Sequence, residues 1–110
     1  METKQSIEAT CPECRGPLSE IQNDDLREYS CLVGHTFSPR GMLLAHSLAQ
    51  EKVLWAAVVA LEESTNLVRL VVPQVPEHVA KHLERQAEEK LLQALEIRKI
   101  LERLEPFQTD

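Results

Sequence analysis

Four residues near the front of the chain restrict its fold more than any others: Cys11 and Cys14 in "CPEC", then Cys31 and His35 in "CLVGH". A Cys-x-x-Cys turn brings two thiolates to one point and aims backbone N–H groups at their sulfurs. Gly34 lets the second loop curl, so that the His35 imidazole turns inward toward Cys31. Three sulfurs and one ring nitrogen make a closed tetrahedral set suited to structural Zn²⁺. Gly16, just after the first pair, stands where such a loop is expected to need a positive φ.

The surrounding residues explain why a staple is needed. "GPLSEI" and "LREYSCLV" read as short strands, separated by the turn-forming "QNDD". The apolar residues of this region are Leu18, Ile21, Leu26, Tyr29, Leu32, Val33 and Phe37. That is too little to hold a unit of this size without a metal or disulfides. Three cysteines form a poor disulfide framework, and in a reducing compartment clustered cysteines more often bind metal. A cytoplasmic protein is therefore expected, and the first residues read as no signal peptide or lipidation motif.

The pattern changes at Ser38. A hydroxyl at the N-cap followed by Pro39 at the first helical position is a helix start. Helical composition runs to about Val72, with Gly41 a mild defect. "PQVP" then ends that helix, and a second one is expected from about Glu77 to about Glu105, stopped by Pro106. Its apolar stripe is Val79, Leu83, Ala87, Leu91, Ala94 or Leu95, Ile97 or Arg98, Leu101 and Leu104, at alternating spacings of three and four. The expected fold is α+β and mostly α: a small zinc ribbon of short β-hairpins over residues 1–37, then a long antiparallel helical hairpin over residues 38–110.

"VLWAAVVAL", residues 53–61, is apolar on every side of its helix and far too short to cross a bilayer. One partner helix covers one seam only. At 1.5 Å per residue the helices extend roughly 50 Å and 43 Å, more than the small N-terminal unit can shield. The expected cover is a second copy, most simply a four-helix bundle formed by a homodimer, with Trp55 and Val58 at the contact.

The chain has 18 acidic and 12 basic residues, a net charge of −6. A Zn²⁺ with three thiolates adds a local charge near −1. Such a surface repels phosphate, so nucleic-acid binding is disfavoured. His78 and His82 share one helical face, but Val79 stands where a zincin helix carries its glutamate. They read as an exposed pair, His46 as a residue at the core boundary, and Glu62 and Glu63 as an exposed acidic pair. No nucleophile elbow, phosphate loop or acidic metal cluster is visible, so no catalytic residue is assigned.

Cys11, Pro12, Cys14, Gly16 and Leu18, then Tyr29, Cys31, Gly34 and His35, then Leu54, Trp55, Ala57, Leu61, Glu62 and Glu63 fall in a familiar order. Over roughly residues 9–70 the chain resembles a region appended to some chemotaxis-type protein-glutamate methylesterases. These 110 residues read as neither the esterase domain with its catalytic triad nor a receiver domain. Val59 stands where those proteins often have arginine. The resemblance implies a bacterial signalling or regulatory setting, not esterase activity. The leading reading is a zinc-binding protein-interaction module. The alternative is a small enzyme or regulatory subunit of such a system, which would need titratable groups and a nucleophile converging in one pocket.

Overall fold

The computed structural model describes residues 2–109. It has an antiparallel four-stranded sheet followed by two long helices. The chain divides into two compact units. One reaches to Gln50 and takes in the residues from Glu105 onward, and the other is Glu51–Leu104. The division falls inside the first helix, whereas composition changes at Ser38.

In the first unit, β1 (Glu2–Thr10), β2 (Pro17–Asn23), β3 (Leu26–Cys31) and β4 (Thr36–Phe37) lie in the sheet in chain order. β2 and β3 form a tight hairpin, pairing Asn23 with Leu26 at one end and Leu18 with Cys31 at the other. Asp24 makes the turn at φ +57°, a conformation that Asp tolerates better than most residues. β1 was not anticipated. It pairs Ser6 with Ser19 and Thr10 with Pro17, so four steps along β1 match two along β2. Two extra residues on β1 therefore bulge the ladder just before Cys11.

The interior of this unit is small. Cys11, Leu18 and Cys31 are its buried cluster, flanked by Ile7, Ala9, Phe37 and Met42. Leu26, Leu32 and Val33, which sequence reading placed among the core candidates, are 68%, 81% and 78% exposed. Two of the three buried side chains are thus cysteines.

Helix α1 spans Pro39–Val71. Its start is capped as the sequence requires: the Gly41 N–H donates to Ser38 Oγ at 3.0 Å, and the Met42 N–H donates to the Ser38 carbonyl at 2.8 Å. Gly41 has a purpose here, because a Cβ on it would stand 2.9 Å from Ser38 Oγ. Later in the same unit, Ser47 is buried; it donates to the Leu43 carbonyl and accepts the Phe107 N–H at 3.0 Å.

In the second unit, a 3-10 turn over Val72–Gln74 and the extended Val75–Pro76 connect α1 to α2 (Glu77–Arg103). α2 ends two residues before the expected Glu105. The residue preceding Pro106 is driven out of the helical region, and Leu104 already has extended ψ. The buried positions of α2 are Ala80, Ala87 and Ala94, one every seven residues, with Val58 of α1 fully buried in the same unit. The buried seam on α2 is thus made of small side chains. It also moves the centre of the expected stripe: Val79 and Leu83 flank it half-buried, while Leu91 and Leu95 remain exposed. Among the described residues no helix is long and apolar enough to cross a membrane.

The cap geometry yields a test. In an ordinary exposed helix position, Gly→Ala stabilises by about 1 kcal/mol. Gly41→Ala should gain little or nothing, because its methyl displaces the capping hydroxyl. In a Ser38→Ala background, itself destabilised by about 1 kcal/mol, the gain should reappear. Urea unfolding of the four variants measures the coupling, and equal gains in both backgrounds would remove the steric account.

Candidate metal centre

Each ligand position is set by a loop at the end of a strand. After β1, the Cys11 N–H donates to the Gly16 carbonyl at 2.7 Å, and the Arg15 N–H donates to the Cys11 carbonyl at 2.8 Å. The turn is completed by Arg15 at φ +65°, not by the glycine that follows it. Gly16 instead passes close to a sulfur: a Cβ there would lie 3.4 Å from Cys14 Sγ. After β3, the Gly34 N–H donates to the Cys31 carbonyl and the Cys31 N–H to the His35 carbonyl. Here Gly34 does take a positive φ, +112°. The pairing of Leu18 with Cys31 sets the two loops at the same end of the sheet.

The donors converge. The three sulfurs and one imidazole nitrogen all lie within 4.8 Å of one another, and they form the one such group among the described residues. Cys14 Sγ is 3.6 Å from Cys31 Sγ. His35 Nδ1 is 3.3 Å from Cys31 Sγ and 3.6 Å from Cys11 Sγ. A tetrahedron with metal–sulfur bonds of about 2.3 Å and metal–nitrogen bonds of about 2.0 Å has edges of about 3.8 Å between sulfurs and about 3.5 Å between sulfur and nitrogen. The donor set thus has the dimensions needed to hold a metal ion. All three cysteines are free thiols.

The surroundings favour the ligating forms. Burial pushes the Cys31 thiol up, but the backbone N–H groups of His35, Val33 and Gly34, with the Cys14 thiol, outweigh it and bring it down to about 6. At Cys14 the backbone N–H of Gly16 pulls the other way from burial and from the Cys31 and Cys11 thiols, which together hold it above its ordinary value. One thiolate is therefore ready at neutral pH, and the other protons leave as metal binds. The outer ring nitrogen of His35, Nε2, lies 3.2 Å from Glu13 Oε2. That carboxylate fixes the ring tautomer so that Nδ1 faces the sulfurs. Sequence reading missed Glu13. Its signal was its place inside the first loop, opposite the only ligand that needs an orienting partner.

The remaining titratable candidates stand apart from any such cluster. His46 is half-buried in the first unit, and His78 and His82 are exposed on α2. Glu62 is no idle surface acid: Arg98 Nη2 donates to both its oxygens, at 3.2 and 3.1 Å, and the guanidinium sits 5.3 Å above the Trp55 ring. No family model, curated protein or solved structure matches the chain.

Two outcomes are expected. Glu13→Gln should weaken metal affinity about 10- to 100-fold with little change in secondary structure, measured by competition against a chromophoric chelator; unchanged affinity would falsify the orienting role. Metal removal under reducing conditions should collapse the dispersed amide resonances of β1–β4 while most of the helical circular dichroism persists. Loss of the helical signal instead would show that the helices depend on the cluster.

Proposed function

We propose that this chain is a non-enzymatic protein-interaction module. Its N-terminal sheet is held by a structural Zn²⁺ on Cys11, Cys14, Cys31 and His35, and its helices associate into a homodimer. The observation that carries the reading is the convergence of four protein donor atoms to within 4.8 Å of one another. Three soft sulfurs and an imidazole favour Zn²⁺ over hard cations. With all four positions filled by side chains, none remains for a water or substrate, so the metal supports the fold and not a reaction.

The dimer is supported by the apolar surface of the second unit, where Trp55 and Val59 of α1 and Leu92 and Leu95 of α2 are exposed. Val58 belongs to the seam within the chain, so of the two residues expected at the contact only Trp55 has surface to offer a partner. The net charge of −6 argues against a phosphate backbone as partner. The resemblance to the extension of chemotaxis-type methylesterases supplies a setting: an accessory protein of bacterial signalling, located in the cytoplasm, that docks another protein.

Elemental analysis joined to native mass measurement tests this directly. The expected result is about one zinc per chain and an intact mass of two chains. Cobalt substitution should give the intense visible bands of tetrahedral thiolate coordination. A compact, reduced protein that carries no metal would sink the reading.

A further inference from the structure

We infer that Cys14 is an oxidation site and Cys31 the thiol that resolves it, so that a hydroperoxide joins the two ligand loops through a Cys14–Cys31 disulfide. The inference goes beyond the interaction reading, and only its metal-release consequence rests on the zinc proposed above.

The cluster is not uniform. Cys11 and Cys31 are buried, at 0% and 8% exposure, whereas Cys14 is exposed. An oxidant arriving from solvent therefore meets the Cys14 sulfur first. Sequence alone would pair that sulfur with Cys11, its neighbour in the Cys-x-x-Cys turn. The structure favours Cys31. Cys14 Sγ donates to Cys31 Sγ at 3.6 Å, while Cys11 Sγ faces His35 Nδ1 at 3.6 Å. Cys11 Sγ also lies within 4.8 Å of Cys14 Sγ, so the loop backbones must decide which pair closes. Cys11 is held firmly: its N–H donates to the Gly16 carbonyl at 2.7 Å, and its carbonyl accepts the Arg15 N–H at 2.8 Å. The matching bonds at Cys31 are longer, 3.1 Å to the His35 carbonyl and 3.2 Å from the Gly34 N–H. The second loop also contains Gly34, with open space where a Cβ would stand. It is the loop that can yield. The two sulfurs need to come only about 1.5 Å nearer to reach a disulfide length of about 2.05 Å. The pairing of Leu18 with Cys31 already sets both loops at one end of the sheet, so β2 and β3 need not part.

The chemistry balances with a hydroperoxide as oxidant. The Cys14 thiolate attacks a peroxide oxygen, the O–O bond breaks, and a sulfenic acid forms as hydroxide leaves. The Cys31 thiolate then attacks that sulfur and displaces the second hydroxide as the S–S bond forms. With hydrogen peroxide, two thiols and one peroxide give one disulfide and two waters; the sulfur pair loses two electrons and the peroxide gains them. Cys11 and His35 are then the donors left, too few to hold a tetrahedral ion, so on the zinc reading the metal leaves as the bond forms. The bond joins residues 17 positions apart and encloses the β2–β3 hairpin. It therefore constrains the same loops that the metal would hold, and oxidation exchanges one staple for another.

The test is hydrogen peroxide added to the full, reduced chain as isolated, followed by alkylation and peptide mapping. Cleavage after Glu13 and Arg15 separates the three cysteines. The expected product is a peptide pair linked through Cys14 and Cys31, with Cys11 alkylated, and metal passing to a chromophoric chelator as the link forms. Cys14→Ser should lose both the link and the early consumption of peroxide. Cys31→Ser should leave Cys14 as a sulfenic acid that dimedone traps. Amide resonances of β2 and β3 should stay dispersed in the oxidised chain and collapse when reductant and chelator are added together. A dominant Cys11–Cys14 or Cys11–Cys31 link, or thiols that survive excess peroxide, overturns the inference and leaves the zinc reading standing. A Cys14–Cys31 link in a chain that carried no metal beforehand removes the zinc reading and leaves the inference standing. Collapse of β2 and β3 in the linked chain overturns the exchange of staples. Should the serine variants fail to fold, dimedone added to the wild type with limiting peroxide decides the order of attack: label on Cys14 supports it, and label on Cys11 or Cys31 overturns it.

Discussion

The convergence of three thiols and one imidazole is the condition on which the N-terminal unit depends, because two of those side chains, Cys11 and Cys31, are also two of the three buried in its interior. Cys11 and Cys31 are buried together with Leu18, and little else is. In a larger domain, ligands decorate a core that exists without them. Here the two cannot be separated: a metal that neutralises the thiolates also removes the cost of holding them inside. If the cluster binds the metal proposed for it, folding of this sheet and metal binding are one equilibrium, as in other small metal-stapled units. The backbone shows the same dependence. A bulge in β1 and a left-handed Arg15 are each unfavourable locally, Gly34 takes a positive φ that other residues resist, and all three flank the cluster.

This explains what could be read in advance. The gathering of Cys11, Cys14, Cys31 and His35, the positive φ of Gly34, the helix start at Ser38 and a small sheet followed by two long helices follow from residue types at fixed spacing, and the structure has each of them. β1 could not be read in that way. "ETKQSIEAT" turns only Ile7 and Ala9 partly inward, and an edge strand with one ladder and almost no buried face carries no hydrophobic alternation to detect. Its pairing is decided by β2, which lies later in the chain. The positive φ assigned to Gly16 fell on Arg15 because the loop needed glycine where the backbone passes Cys14 Sγ, and close approach competes with φ as a reason for glycine.

In the helices, pattern and packing part company for a different reason. Periodicity weights large apolar residues, so the stripe was drawn through leucines. Burial depends on position across the pair, and the positions covered on α2 are the alanines at 80, 87 and 94. Leucines beside an alanine seam are then displaced to its edges, which is where Leu91 and Leu95 are found. The same substitution of small for large at the seam leaves apolar area uncovered on the outside.

That consequence bears on what kind of protein this is. On the proposed reading, four side-chain ligands leave the zinc no open position for substrate, and the cross-helix pair of Glu62 and Arg98 spends its charges on each other. The groups with the strongest chemistry are therefore already committed to structure. What the molecule still presents to its surroundings is shape and apolar area: the exposed Leu32 and Val33 on the second ligand loop, and the leucines, valine and tryptophan of the helical pair. Apolar area of that extent costs a chain solubility unless something covers it, and its exposure beside a locked ion pair fits the interaction role proposed above.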